Sequence, residues 1–175
     1  MRVVQRWLKR AALVGIVLFV VGALVTHRTA WALVRYSGSP GTLDVPVRGV
    51  ARPALRSSFG EPRSGHRTHA GIDIFARRGT PVVAAAEGVV VRIGTTDRLG
   101  GNTVWVAGKP STLYYYAHLD RFAHGLRVGD HVERGDLIGY VGNTGNARTT
   151  PPHLHFGIYP LARAFWPVDP AQLLK

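Results

Sequence analysis

Residues 153–159 read HLHFGIY, and the fold turns on how that run is read. Side chains of a strand point alternately to opposite faces. As a strand, the run puts Leu154 and Phe156 on one face and His153 with His155 on the other. One face is then dry, and the other carries two imidazoles side by side. An ordinary half-buried strand alternates in the same way, so this pair gains meaning only in company.

Working outward, comparable short runs recur: GVVVRIG (88–94), NTVWVAG (102–108), TLYYYAHL (112–119) and DLIGYVG (136–142). They are rich in Val, Ile, Tyr and Phe, and Gly, Asn, Asp and Pro separate them, which is strand and turn composition. GKPS, between the second and third of the runs from 88 onward, predicts a hairpin turn. After residue 26 no helical period of useful length occurs, apart from a few residues near DPAQLLK. The expectation is a mainly β, antiparallel domain, with no repeat long enough for a solenoid.

The 175-residue chain has room for one good domain, and 46% apolar residues argue for a packed core. It contains no cysteine, so any metal has to be held by His, Asp or Glu. MRVVQRWLKR is basic without an acid, and Ala11 to Val25 is uncharged. A basic stretch before such a run reads as a secretory signal or a short membrane anchor. Positive-inside bias then places the remainder outside the cytoplasm. Residues 1–28 are read as that signal or anchor, with a hydrophobic helix, 29–56 as a Gly/Pro/Ser-rich lead-in, and 57–175 as the domain. Residues 1–28 hold five Lys or Arg and no acid, so +7 of the net +12 lies beyond them. A basic exported domain is drawn to anionic surfaces such as wall polymer or lipid headgroups. Export argues against nucleic acid as a partner.

In RTHAGIDIFA (67–76), His69 and Asp73 stand four positions apart, ahead of alternating residues. Gly71 is read as letting the backbone bend so that the two converge. A turn-capping carboxylate is the ordinary alternative for Asp73. His118 ends the aromatic run YYYAHL. Together His69, Asp73, His118, His153 and His155 include the borderline and hard donors that Zn²⁺ takes in catalytic sites, where a fourth position is kept for water. Water acidified in such a site can attack an amide if a base takes its proton. No histidine is followed by glutamate, so the helical H-E-x-x-H arrangement is absent.

THAGIDIFARRGTPVVAAAEGVVVRIG, GNTVWV, YYYAHLD and LRVGDHVERGDLIGYVGNTGNARTTPPHLHFGIYP, with VDP after them, resemble the M23 family of zinc endopeptidases, the lysostaphin-like peptidoglycan hydrolases. The resemblance runs from about Arg56 to Pro170, with the motifs in the family's order. It implies a lysostaphin-like antiparallel β domain of the duplicated-hybrid-motif type, with a groove along one face. It also implies that His69, Asp73 and His155 are zinc ligands. His153 and His118 match the two catalytic histidines, the first for proton transfer and the second for orienting water or stabilising the oxyanion. His66, His124 and His131 match nothing catalytic and are read as surface residues. Two departures bear on groove shape: AGKPST is a short turn where the family often has a longer one carrying a histidine, and Gly157 replaces the acid that commonly follows H-L-H-F.

The implied activity is hydrolysis of peptidoglycan cross-links, in or near a Gram-negative periplasm, with the N-terminal segment in the inner membrane or cleaved. The family includes enzymes for glycine bridges and for D-alanyl–diaminopimelate links, and the basic exported chain favours the direct links. A non-catalytic domain that binds wall polymer or activates another hydrolase is the competing reading. It is disfavoured because all five matched positions are intact. VGDHVERGDLIGYV also brings a lipoyl-type carrier to mind, but Lys109, the one lysine between Lys9 and Lys175, lies in no suitable hairpin.

Overall fold

In the computed structural model the described residues are 42–108, 111–160 and 166–175, apart from the side chains of 96 and 97. The N-terminal apolar segment, Lys109 and Pro110 of the expected GKPS turn and residues 161–165 lie outside them. Eleven strands are described: β1 Pro62–Arg63, β2 Arg67–Thr68, β3 Ile72–Phe75, β4 Pro81–Val83, β5 Gly88–Asp97, β6 Gly101–Gly108, β7 Thr112–Ala117, β8 Leu119–Phe122, β9 His131–Val132, β10 Leu137–Val141 and β11 His153–Pro160. They pair antiparallel throughout, in a β1–β2 hairpin, a three-stranded sheet β4–β10–β8 and a six-stranded sheet β3–β11–β7–β6–β5–β9. The expectation of a mainly antiparallel β domain holds.

The alternation in HLHFGIY produces the predicted two faces. Leu154, Phe156 and Ile158 are fully buried, together with Ile72 and Ile74 of β3 and Tyr114 and Tyr116 of β7. Burying one such aliphatic or aromatic side chain stabilises the fold by roughly 1.5–3 kcal/mol. Burial also pushes the Tyr116 phenol above its ordinary pKa. Its oxygen nevertheless has a partner, accepting a hydrogen bond from Ala85 N at 3.0 Å. That bond ties the large sheet to the segment after β4.

Two sequence readings change. TLYYYAHL reads as one strand over 112–119, but the run breaks at His118, whose φ of 63° is left-handed. A single strained residue there moves the chain from the six-stranded sheet (β7) into the three-stranded one (β8). The described part of the lead-in, 42–56, also packs against the domain, and does not stand apart as a linker. Leu43 and Val47 are buried, and Leu43 bridges Leu174 in parallel while Val47 bridges Val82. Gly and Pro around them hide the signal, because the segment joins the sheets through single bridges and has no strand period of its own. Helix near DPAQLLK amounts to one 3-10 turn, Pro170–Gln172, capped by the Asp169 carboxylate accepting from Ala171 N.

Candidate metal centre

The pairing of β3 with β11 sets Asp73 opposite His155, and His153 opposite Phe75. β7 lies on the other side of β11, with Ala117 opposite His155. Ala117 leaves room, and His118 follows it at the sheet-switching position. His69 comes from the chain between β2 and β3, where the hairpin fold is closed by His69 N donating to Glu61 O and Gly60 N donating to His69 O, both 2.9 Å. Gly71 works differently from the expected bend. It has no left-handed φ; a Cβ there would run into the Phe156 carbonyl and come within 3.0 Å of His155 Cε1. Glycine is required by the closeness of β11.

Three donor atoms converge. His69 Nε2 is 2.8 Å from His155 Nδ1 and 3.0 Å from Asp73 Oδ1, and His155 Nδ1 is 3.1 Å from the same oxygen. Among the described residues these three form the group of His and Asp side chains placed so that they could hold a metal ion. His69 Nδ1 is 2.7 Å from Ser58 O, and a carbonyl can only accept, so the proton sits on Nδ1 and Nε2 keeps a lone pair. Arg63 Nη2 also lies near that nitrogen, at 2.8 Å, and donates to Asp73 Oδ2 at 2.7 Å.

The other two histidines approach the same place. His118 Nδ1 donates to Thr144 O and His153 Nδ1 to Pro151 O, each at 2.9 Å, leaving both Nε2 atoms as acceptors. His153 Nε2 stands 3.8 Å from Asp73 Oδ1. The His118 ring centroid is 4.9 Å from that of His153 and 5.9 Å from that of His155. Thus all five sequence-selected residues meet in one site. His66, His124 and His131 are exposed and outside the donor cluster.

Burial acts to raise the Asp73 pKa, but hydrogen bonds and charge from His155 and His69 outweigh it and hold the carboxyl well below its usual range. Burial lowers His118 to about 4, helped by the nearby His153 and His155. Burial also lowers His155, against the opposing bond and charge of Asp73. Near neutral pH, His118 and His155 therefore offer lone pairs and carry no charge.

This donor set fits a zinc ion. Bonds of about 2.0–2.1 Å in tetrahedral geometry put neighbouring ligand atoms about 3.3 Å apart, a few tenths wider than the triangle observed. Two imidazole nitrogens and a carboxylate oxygen facing one point have too few protons among them to satisfy one another, and a cation resolves that. The residue types are those of a three-ligand catalytic site.

The centre opens into a cleft of about 990 Å³, within the range of small-molecule and peptide sites. Phe75 and Leu99, both exposed, line it on the sides of His153 and Gly100. Beyond His155 the floor is aromatic: Trp105 contacts Tyr115 and Tyr159 at centroid distances of 4.3 and 5.4 Å. Gly157 lies beneath Tyr159, whose ring a Cβ would meet at 2.8 Å, so the glycine leaves that ring its place on the cleft floor.

Sequence reasoning did not reach Ser58, Arg63, Pro151 or Thr144. Thr144 also locks the His118 neighbourhood, donating from Oγ1 to Leu119 O at 3.0 Å and accepting from Asn102 N at 2.9 Å. In the sequence it sits in GNTGN, which reads only as a turn.

An antiparallel sheet presenting two histidines and an aspartate as metal donors, with two further imidazoles at an open cleft, defines a candidate metallohydrolase. The chain belongs to peptidase family M23, whose sequence profile matches residues 67–170. It is 42% identical over 130 residues to the L-Ala–D-Glu endopeptidase of Bacillus subtilis (strain 168), covering 70% of this chain and 40% of that protein. Among solved structures, Helicobacter pylori Csd3 superposes with a TM-score of 0.61 at 30% identity, over 77% of this chain and 35% of that one. The catalytic domain of lysostaphin from Staphylococcus simulans gives 0.55 at 32% identity, over 62% and 82%. The chain thus spans well under half of the Bacillus relative.

Proposed function

We propose that this domain is a zinc endopeptidase that hydrolyses peptide bonds in the cross-links of peptidoglycan. The observation that carries the proposal is the convergence of His69, Asp73 and His155, with His118 and His153 turned to the same side of an open cleft. When bound, zinc supplies Lewis acidity, polarising a carbonyl oxygen and lowering the pKa of water at the site.

The chain's own residues do the rest. His153 Nε2, its Nδ1 proton held by Pro151 O, accepts a proton from the attacking water and passes it to the leaving amine. Neutral His118 accepts a hydrogen bond from that water and fixes its line of attack. The cleft seats the extended peptide, with Phe75 beside His153 at 5.1 Å between ring centroids. The basic character of residues 29–175, which carry +7 of the formal +12, favours acidic stem peptides and hence direct D-alanyl–diaminopimelate links over glycine bridges. The basic and apolar residues 1–28 support export and a place at the outer side of the inner membrane, as anchor or cleaved signal.

The test is digestion of purified cell walls by the full-length protein, with identification of the newly exposed termini. New amino termini within the cross-links are expected, lost with chelator and restored by zinc. Cleavage that persists without metal, or no new termini in replete conditions, would overturn the proposal.

A further inference from the structure

Arg63 stands apart from the five selected residues, yet it touches two of the three metal donors' side chains. It lies on β1, and the β1–β2 pairing, Arg63 opposite Arg67, folds it back over His69. Its Nη2 reaches Asp73 Oδ2 at 2.7 Å and lies 2.8 Å from His69 Nδ1, whose proton goes to Ser58 O. The guanidinium N–H is therefore spent on the carboxylate. Asp73 Oδ1, in contrast, faces the imidazoles at 3.0 and 3.1 Å. The two oxygens have separate tasks.

A second observation argues that this is more than an incidental surface ion pair. Arg63 Nε is buried and has no hydrogen-bond partner among the described residues. A buried unmatched donor is a desolvation cost, and a purely stabilising arginine has no reason to incur it. A bond from a planar donor with few free torsions also fixes direction better than a flexible ammonium does.

We propose that Arg63 is a positioning residue of the metal centre: it occupies the outer oxygen of Asp73, so that the carboxylate offers a divalent ion a single oxygen, Oδ1. Without that bond a carboxylate can swing to present both oxygens, and the additional oxygen competes for the position that water or substrate needs. The inference rests on the metal-centre reading above, and it adds a residue and a role to it.

The test loads the full-length protein with Co²⁺ alone, because visible absorption of that ion reports the number of ligands. In Arg63→Met, which keeps the stem and removes the donor, the absorption per bound ion is expected to fall about two-fold as the coordination shell expands. Arg63→Lys, whose ammonium can still donate to Oδ2 but fixes it less closely, is expected to keep more of the wild-type absorption than the Met variant. Wall hydrolysis by the zinc form of the Met variant should fall roughly 10–100-fold. Should the Met variant not fold, Arg63→Gln, too short to hold Oδ2, is read in the same way. A wild-type spectrum in the Met or Gln variant overturns the proposal, and so does a Lys variant as altered as the Met variant. His69→Ala separates the two levels. If it still binds Co²⁺ with the native spectrum, the metal-centre reading itself fails, whatever Arg63 does.

Discussion

His118 holds its position against its backbone preference. Its φ of 63° costs an L-residue roughly 1–2 kcal/mol, and such strain persists where the surroundings hold it in place. Here His118 N donates to Gly100 O at 2.8 Å and its ring to Thr144 O. Replacing it by glycine and by alanine removes the same imidazole, but only glycine accepts that φ freely. His118→Gly should therefore be more stable to denaturant than His118→Ala by about 1 kcal/mol, with wall hydrolysis strongly reduced in both. Equal stability of the two variants would mean that the strain is not real. Two further variants separate the proposed ligand and proton-transfer roles. His69→Ala should lose bound zinc and hydrolysis together, measured by metal content after dialysis. His153→Ala should keep the metal and lose roughly 10²–10⁴-fold in rate. At this scale the sequence was informative because the five site residues are chemically distinctive and sit in compact motifs. Arg63 and Thr144 were not legible, since an arginine in a basic chain and a threonine in a turn carry no signal until their partners are known.

The elements succeed or fail by how closely they approach. β3 delivers Asp73 to His155 only because Gly71 lets the chain lie against the Phe156 carbonyl. A methyl group at 71 would meet the Phe156 backbone and the His155 ring, and the backbone carbonyl cannot yield cheaply. Gly71→Ala is expected to destabilise the fold by about 1–3 kcal/mol, the usual scale for overpacking. It should also weaken metal binding, because the shift that relieves the clash moves β3 away from β11. Denaturant unfolding of the metal-free protein, set beside zinc titration, checks both. A variant with normal stability and normal zinc affinity would show that β3 tolerates the displacement. β5, β6, β7, β10 and β11 were legible as strands because each is a short run rich in Val, Ile, Tyr or Phe bounded by turn residues, and in β11 the two faces alternate as well. Which strands pair was not, since period-two patterning fixes faces and leaves neighbours open. Thus the split of TLYYYAHL between two sheets could be seen only in the structure.

For the whole molecule, the two ends of the described domain clasp each other. Leu43 N donates to Leu173 O at 3.1 Å, and Lys175 N donates to Leu43 O at 2.9 Å. The Leu43 and Leu174 side chains are both buried in the core. None of these residues lines the cleft. The clasp should therefore govern global stability and leave the chemistry alone. Leu43→Ala and Leu174→Ala are each expected to cost about 2–5 kcal/mol in denaturant unfolding, the range for emptying a buried leucine site. The double variant should cost less than the sum, because the second truncation enlarges a cavity that already exists and its neighbours have begun to relax. Below the thermal transition each single variant should hydrolyse walls at the parental rate with unchanged zinc affinity. If instead Leu43→Ala cost less than about 0.5 kcal/mol, the value of an ordinary surface change, the N-terminal lead-in would be only resting on the domain. If it left stability intact but lowered the rate, the segment would be acting on the cleft across the sheet. Since the bridges from 43 and 47 run to the core strands and the C-terminal residues, loss of stability without loss of turnover is the outcome this arrangement requires.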